Sequence, residues 1–278
     1  MIVKFERYGI SSNKNILRVI NSKGDFLMED KNFLQNVEDL IPKINNTDYK
    51  RILAIGDVHG CFSKLVSLWD KISVSDDDLV IFLGDYVEGG DQNLNVLRWL
   101  MEQNKNVVIL RGNMDDMFLD SFDANNPNVI FKGEFDAAEE LYNAAQKEPS
   151  LVKQIHDFLS NTPCLYKLKI SGRNYIFCHA GINIKIPIEK QENNKIDLIW
   201  GNNNFYKDYD GNAVIIVGHK SPRKVMEILS NCPELDTLKP VRIPHKNILL
   251  LDTRAKDSLK KEGYISCVDI LNGEFWQS

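Results

Sequence analysis

The chain has 278 residues, of which 43% are hydrophobic and 26% are charged, and this composition is typical of a folded globular protein. A chain of this length can bury a large core without a disulfide scaffold. Its net charge of −5 argues against a general nucleic-acid-binding surface, which is normally basic, but does not exclude a small anionic substrate.

The cysteines indicate a reducing environment. Their number is odd and no pair has C-x-x-C spacing, which argues against a disulfide framework. The N-terminal segment lacks the apolar core of a signal peptide, and no run of about 18 apolar residues is present. We therefore expect a cytoplasmic protein without a membrane partner.

Residues 1–49 are interpreted as an N-terminal extension packed on the main domain. The apolar segments 16–20 and 26–28 flank a Ser-Lys-Gly sequence, which predicts a short hairpin, and residues 33–44 have the pattern of a helix. The extension offers no core of its own, so we place the main domain at residues 50–278.

The main domain begins with alternating strand and helix patterns. Apolar runs at 52–55, 79–83 and 107–110 are each followed closely by Gly-Asp or Gly-Asn. Runs of this length that are bounded by glycine are typical of strands buried on both faces. Helical patterns occupy Phe62–Ile72 and 94–103, so the order predicts a βαβαβ unit with parallel strands.

Residues 114–161 have a polar, mostly helical pattern, and we expect a helical cap-like insert beside the functional site. Gly172 separates two later strand patterns as a hairpin. These two strands are expected at 165–170 and 175–178, and three more at 214–217, 248–251 and 264–270. The pattern as a whole predicts an α/β (α+β) sandwich with a second, more antiparallel sheet.

Side chains with oxygen or nitrogen donors follow the predicted strands where these end. They are Asp57, His59, Asp85, Asn113, His179 and His219. Ligands of open α/β sheets collect at the carboxyl ends of strands, so these residues should converge in one crevice. Each alone has an ordinary explanation, such as a helix cap, a turn or a structural histidine. The set is more specific, because Asp57, Asp85 and Asn113 follow one another at intervals of 28 residues.

The donor set predicts two divalent cations. It contains no thiolate, and carboxylate, imidazole and amide donors suit Mn, Fe or Zn. Six such residues are too many for one tetrahedral site, so we expect Asp85 to bridge two ions. Two ions about 3.5–4 Å apart can hold a bridging hydroxide and clamp a phosphoryl group.

These residues lie in segments that resemble the motifs of a known family. The segments are 56–60 (GDVHG), 84–90 (GDYVEGG), 111–115 (RGNMD), 178–181 (CHAG) and 218–220 (GHK). They are similar to the GDxHG, GDxVDRG, RGNHE, HAG and GH motifs of the calcineurin-like metallophosphoesterases. The resemblance covers about residues 50–275 and is greatest to the phosphoprotein-phosphatase branch, which includes bacterial serine/threonine phosphatases and diadenosine tetraphosphatases.

The resemblance implies a four-layer α/β/β/α sandwich and a hydrolase that uses two divalent cations. It implies that one cation is held by Asp57, His59, Asp85 and His219. The other would be held by Asp85, Asn113, His179 and the remaining histidine contact. The division of the two histidines between the cations stays open.

Several positions depart from the family pattern. Met114 stands in place of the catalytic histidine, and a thioether cannot donate a proton. Glu88 replaces the aspartate that orients that histidine, and Gly89 replaces an arginine that helps to bind phosphate. Asn202 replaces a second arginine. Near the end of the chain, Arg254 replaces the glycine of an Asp-Thr-Gly sequence found in the family. Loss of general acid catalysis lowers the reaction rate about 10²–10⁴-fold, and the loss is greatest for a poor leaving group such as a serine alkoxide.

Arg111, Glu88 and Asp115 are the candidates for the remaining catalytic roles. Arg111 adjoins Asn113 and could bind phosphate, or it could only brace the loop. Asp115 could act as an acid, or it could complement the dipole in the first turn of a helix.

We predict a metal-dependent phosphoric ester hydrolase that acts on phosphate mono- or diesters through a metal-bridged hydroxide. Its substrate would be a small phosphorylated molecule or a nucleotide rather than a phosphoprotein. The alternative is a catalytically weak pseudophosphatase that binds metal and a phosphorylated ligand.

Overall fold

The computed structural model describes residues 4–6, 18–20, 26–28, 47–103, 106–131, 135–230, 232–256 and 263–278. Strands β1 (Lys4–Glu6), β2 (Arg18–Ile20) and β3 (Phe26–Met28) pair antiparallel near the N-terminus. The β2–β3 pair coincides with the predicted hairpin, whereas the helix predicted at 33–44 lies outside the described residues. The assignment of residues 1–49 as an extension packed on the main domain stays a prediction.

The βαβαβ unit forms the centre of the first large sheet. Its parallel strands are β4 (Arg51–Ile55), β5 (Asp78–Phe82) and β6 (Val107–Ile109). Helices α1 (Phe62–Ile72) and α2 (Asn93–Met101) make the crossovers between them. Every residue of β5 is buried, as expected for a strand covered on both faces.

The insert is the next part of the chain. It contains helix α3 (Asn113–Leu119), a hairpin of β7 (Phe122–Asp123) and β8 (Asn126–Ile130), and helices α4 (Asp136–Ala145) and α5 (Ser150–Ser160). It is therefore largely helical, as the sequence predicts, with one unpredicted hairpin.

The second large sheet is mixed. Its strands are β9 (Leu165–Ile170), β10 (Arg173–Cys178), β11 (Val214–Val217), β12 (Val241–Arg242) and β13 (Ile248–Leu250). The predicted hairpin joins β9 to β10, and β12 is antiparallel to β13. The pairs β10–β11 and β11–β13 are parallel, so the sheet order is β12-β13-β11-β10-β9.

The last strands return to the first sheet. Strand β14 (Ser266–Asp269) pairs antiparallel with β4, and β15 (Phe275–Gln277) pairs with β14. The first sheet thus has the order β15-β14-β4-β5-β6 and is as mixed as the second. The expectation of a more antiparallel second sheet is wrong, because strand partners are chosen by packing between distant segments and not by the local pattern.

The two sheets pack face to face and carry helices on their outer faces. In β4, Ile52 faces the second sheet while Leu53 faces the helices of the first. In β10, Phe177 faces the first sheet while Ile176 faces the opposite layer. This alternation follows from the two-residue period of a strand. The predicted four-layer sandwich is therefore confirmed.

The outer layer on the second sheet contains helices α6 (Lys195–Ile199), α7 (Asn203–Asp208) and α8 (Pro222–Leu229). Within the described ranges, no helix has the length and apolar character needed to cross a bilayer. All five cysteines carry free thiols.

Candidate metal centre

The carboxyl ends of parallel strands from both sheets bring the six predicted ligand residues together. Asp57 and His59 follow β4, Asp85 follows β5, and Asn113 begins α3 after β6. His179 follows β10 and His219 follows β11. All of them are buried except His219, which is partly exposed.

Asp85 lies between two groups of donor atoms. Its Oδ2 atom is 3.7 Å from His59 Nε2, which is 3.6 Å from Asp57 Oδ2. On the other side, its Oδ1 atom is 3.3 Å from His179 Nε2. We call Asp57, His59 and Asp85 the first group; their candidate ligand atoms lie within 4.8 Å of one another. The two oxygens of one carboxylate thus face different groups, as a ligand shared by two cations would.

Asn113 and His219 complete a second group with Asp85 and His179. Asn113 Oδ1 lies 3.0 Å from His179 Nε2 and 2.9 Å from His219 Nδ1. The ligand atoms of Asp85, His179 and His219 also lie within 4.8 Å of one another. The resemblance left the division of the two histidines open; in the structure the ligand atom of His219 lies with those of Asp85 and His179.

The orientation of two histidines fits cation binding. His59 Nδ1 lies 3.2 Å from the carbonyl oxygen of Val87, and His179 Nδ1 lies 3.0 Å from that of Leu83. An Nδ1–H group that donates to a carbonyl leaves Nε2 as an acceptor. Both Nε2 atoms then face carboxylate oxygens of Asp85, which is repulsive unless a proton or a cation lies between them. The donor set therefore fits a pair of divalent cations.

The charges of the site hold protons on two imidazoles when no cation is bound. Burial lowers the pKa of His59, but Asp57 and Asp85 outweigh it and raise the pKa to about 9. Burial likewise lowers the pKa of His179, and Asp85 outweighs it and raises the pKa to about 9. Burial and the neighbouring His179 lower the pKa of His219 to about 3. Cations that bind here would displace the protons of the first two histidines.

The backbone is strained where it presents the ligands. His59, Asp85 and His219 have φ values of +49°, +56° and +63°, in the left-handed region. Each such residue costs about 1–3 kcal/mol, and such residues cluster at functional sites. Gly112 and Gly218 have no space for a β-carbon, because the side chains of Asp85 and Asp57 lie against them.

Asp115 holds two of the ligand loops together. It is fully buried, and its carboxylate accepts hydrogen bonds from the backbone N–H groups of Asp85, Tyr86 and Gly112 at 2.8, 2.8 and 2.9 Å. Burial, with a contribution from Asp85, raises its pKa to about 6. These contacts make Asp115 a positioning residue, and the predicted role as a catalytic acid is not supported.

Glu88 is engaged with the insert. Its Oε1 atom accepts a hydrogen bond of 2.9 Å from the backbone N–H of Ala137, in the first turn of α4. Glu140 of α4 in return accepts a hydrogen bond of 2.8 Å from the N–H of Leu94, in the first turn of α2. We call these contacts the reciprocal caps, since each carboxylate satisfies the start of the other segment's helix. They leave the predicted catalytic role of Glu88 without support.

Arg111 braces the end of the insert. Its Nη2 atom donates to the carbonyl oxygens of Leu159 and Ser160 at 2.6 and 2.7 Å, at the end of α5. Its Nε atom donates to Thr162 Oγ1 at 3.2 Å, and Nη1 lies 3.2 Å from Asp116 Oδ1. Of the two roles open from the sequence, these contacts favour the structural one over phosphate binding.

Two other residues that depart from the family pattern, Met114 and Asn202, also make structural contacts. The side chain of Met114 packs against the core beneath the helices of the first sheet, and its backbone N–H donates to Asp85 Oδ1 at 2.9 Å. Asn202 caps α7 by accepting a hydrogen bond of 3.0 Å from the N–H of Phe205. It also donates to Asp197 at 2.6 Å.

Sequence reasoning missed Asp252 as part of this site. Asp252 follows β13, is buried and accepts a hydrogen bond of 2.8 Å from the N–H of Arg254. Burial, together with the nearby Asp57, raises its pKa to about 7. The signal that pointed to Asp57 and Asp85, an aspartate after an apolar strand, was present here too.

Comparisons with known proteins show which family has this fold and this set of donor residues. A family model described as calcineurin-like phosphoesterase matches residues 50–248. The chain therefore belongs to the calcineurin-like phosphoesterase family, a family of hydrolases, and the predicted resemblance is confirmed.

Curated relatives and a solved structure agree with this assignment. Serine/threonine-protein phosphatase 2 of Salmonella typhimurium is 27% identical over 49% of this chain, and the match spans only 61% of that relative. The asymmetrical bis(5′-nucleosyl)-tetraphosphatase of Anoxybacillus flavithermus is 28% identical over 66% of this chain and 83% of its own length. A serine/threonine phosphatase structure from Saccharomyces cerevisiae shares the fold, with a TM-score of 0.54 at 16% identity, covering 90% of this chain and 85% of that one.

Proposed function

We propose that the protein is a phosphoesterase that depends on two divalent cations held by the first and second groups. The observation that carries the proposal is the position of Asp85, with one carboxylate oxygen facing His59 and the other facing His179. When bound, the cations would supply a hydroxide nucleophile and stabilise the charge that develops on the phosphoryl group. The oxygen and nitrogen donors suit Mn, Fe or Zn.

The residues of the chain orient these ligands. The carbonyl oxygens of Leu83 and Val87 fix the tautomers of His179 and His59, so that each Nε2 faces Asp85. Asp115 fixes the backbone of Asp85 from beneath. This support would keep both carboxylate oxygens in position without a large reorganisation during the reaction.

The contacts of Glu88, Asp115 and Met114 favour substrates with good leaving groups. Met114 has no proton to donate, and the two carboxylates accept backbone hydrogen bonds elsewhere. Aryl and phosphate leaving groups depart without protonation, whereas a serine alkoxide requires it. We therefore propose small phosphorylated molecules or nucleotides as substrates. The similarity to a bis(5′-nucleosyl)-tetraphosphatase supports this choice, since a bis(5′-nucleosyl) tetraphosphate has phosphate leaving groups.

A substrate and metal panel tests the proposal. Purified protein loaded with Mn²⁺, Zn²⁺ or Fe²⁺ is assayed with p-nitrophenyl phosphate, bis-p-nitrophenyl phosphate, a bis(5′-nucleosyl) tetraphosphate and a phosphoserine peptide. We expect metal-dependent hydrolysis, with the phosphoserine peptide at least about 100-fold slower than the aryl and anhydride substrates. Absence of turnover on all four substrates by metal-loaded protein would contradict the proposed activity. Equal rates on the phosphoserine peptide would contradict the substrate class alone.

A metal-binding pseudophosphatase is the second candidate. It is favoured by one observation: all three residues predicted to act beside the ligands, Arg111, Glu88 and Asp115, are engaged in structural contacts. Such a protein would bind two cations per chain and inorganic phosphate but would turn over none of the four substrates. Elemental analysis together with the panel distinguishes the two candidates.

A further inference from the structure

The loop that follows β13 lies across Gly89. A β-carbon placed on Gly89 would be 2.6 Å from Lys256 Cβ and 3.0 Å from Lys256 Cδ. Gly89 also has a φ of +124°, which residues with side chains rarely adopt. The aliphatic part of Lys256 therefore occupies the space in which a side chain at position 89 would begin.

The backbone that leads to Lys256 is held firmly. Lys64 Nζ donates to the carbonyl oxygens of Ala255 and Gly263, each at 2.6 Å. Ala255 is fully buried, and Thr253 Oγ1 donates to the carbonyl oxygen of Tyr264 at 2.7 Å. These contacts fix the starting point of the Lys256 side chain next to the ligand loops.

Lys256 brings a positive charge to the first group. Its charge interacts electrostatically with His59 and with Asp252. Lys256 is exposed, and its ammonium group has no hydrogen bond or ion pair with any residue that the structure describes. The other lysines near the site are engaged: Lys220 Nζ lies 3.0 Å from His219 Nε2, and Lys64 holds the loop.

We propose that Lys256 binds an anionic oxygen of the substrate phosphate at the edge of the first group. This inference rests on the proposed function. A lysine serves here as a mobile point charge, whereas an arginine would grip the phosphate through two fixed donors. Because Gly89 has no side chain, the aliphatic part of Lys256 can lie against it, close to the loop that carries Asp85. Lys256 acts on substrate binding and takes no part in proton transfer.

Binding of inorganic phosphate to the Mn²⁺-loaded protein is the direct test, measured by isothermal titration calorimetry. We expect Lys256→Met to weaken binding about tenfold at low salt, and we expect the loss to shrink at high salt because an exposed charge is screened. Lys256→Arg should stay within about threefold of the wild type, since it keeps the charge. The matched control is Lys50→Met. It removes an exposed lysine, paired with Asp77, at the opposite end of β4 and should leave binding unchanged.

Steady-state kinetics test the role of Lys256 separately from the proposed phosphoesterase activity. With p-nitrophenyl phosphate, Lys256→Met should raise KM about tenfold while kcat stays within about twofold, which a merely structural role would not produce. If the wild type hydrolyses the ester and Lys256→Met matches it in both KM and phosphate affinity, the role of Lys256 is wrong and the phosphoesterase stands. If no ester is hydrolysed, the phosphate titration still decides: equal affinities, or no phosphate binding by the wild type, overturn the inference.

Discussion

The two sides of the crevice differ in how their residues are used. On the ligand side, Asp57, His59 and Asp85 direct their donor atoms at one another, and the strained backbone at His59 and Asp85 holds them there. On the insert side, Glu88 and Arg111 bind helix ends instead of the crevice. A set of donor atoms suited to cations can therefore stay together while the charged groups beside it contact helix ends instead. Substitutions on either side, and one at the far end of the sheet, measure how strongly these regions depend on one another.

The largest effect is expected from Asp85→Asn, which removes the carboxylate shared by both groups. We expect the metal content to fall from two ions per chain to one or fewer, and turnover to fall at least about 10³-fold, because both cations lose an anionic ligand. Elemental analysis and p-nitrophenyl ester hydrolysis measure the two effects. The control is Asp77→Asn, an exposed carboxylate next to the start of β5. Two tightly bound ions in Asp85→Asn would show that the groups are independent.

A smaller loss of metal affinity is expected from Asp115→Asn. This substitution tests whether the backbone hydrogen bonds accepted by Asp115 position Asp85. An amide can accept fewer of the three backbone hydrogen bonds and brings N–H groups against the donors of Asp85 and Gly112. We expect a loss of about 2–3 kcal/mol in the free energy of unfolding and a 10- to 100-fold drop in metal affinity. Asp120→Asn, at the exposed end of α3, is the matched control. Unchanged metal affinity would mean that Asp115 stabilises the fold without positioning Asp85.

Asp269→Asn changes a buried carboxylate at the end of the sheet opposite the candidate cation site. It should alter the pH dependence of the free energy of unfolding. Burial raises the pKa of Asp269 to about 6, and its Oδ2 atom has no hydrogen-bond partner among the described residues. The folded state therefore holds a proton more tightly than the unfolded state, whose pKa is about 3.9. The stabilisation by this proton is complete below about pH 4 and is lost as pH rises through 6, which lowers the free energy of unfolding by about 3 kcal/mol.

In the Asp269→Asn variant this loss should disappear. The free energy of unfolding, measured by urea denaturation of metal-free protein between pH 4.5 and 8, should fall less steeply with pH than in the wild type. Asp76→Asn changes an exposed carboxylate and serves as the control. Parallel pH profiles for the wild type and Asp269→Asn would contradict the raised pKa.

The smallest effect is expected from Met114→His, which places an imidazole where the resemblance implies a catalytic histidine. A new imidazole would lack its carboxylate partner, because Glu88 caps α4, and it would have to leave the core packing of Met114. We expect a gain in kcat of about tenfold or less, confined to poor leaving groups, and not the 10²–10⁴-fold typical of a placed general acid. Met117→His, one turn along α3, is the control. A gain above about 100-fold would show that Glu88 is free to orient the imidazole.

The convergence of the candidate ligand residues could be predicted because their signals are local. Asp57, Asp85 and Asn113 follow apolar runs and glycine at regular spacing, so the order along the chain gives their position at one edge of the sheet. The same reasoning gave β4 and β5, whose residues are apolar enough to be buried on both faces.

The remaining features depend on contacts between distant segments. The contact of Glu88 with α4 was not predicted because its partner, Ala137, lies 49 residues further along the chain. The position of β14 beside β4 pairs Cys267 with Ile55, which no local pattern encodes. A carboxylate near a motif can face a ligand or a helix end with equal ease, and only the packing of the insert decides which.

The reciprocal caps also determine how substitutions at positions 88 and 140 should combine. Removal of either carboxylate leaves backbone N–H groups at the start of one helix without this acceptor. Because both contacts join the same two segments, loss of one should loosen the other, and the two losses in the free energy of unfolding should not add. We therefore expect the loop after β5 and helix α4 to open as one cooperative unit.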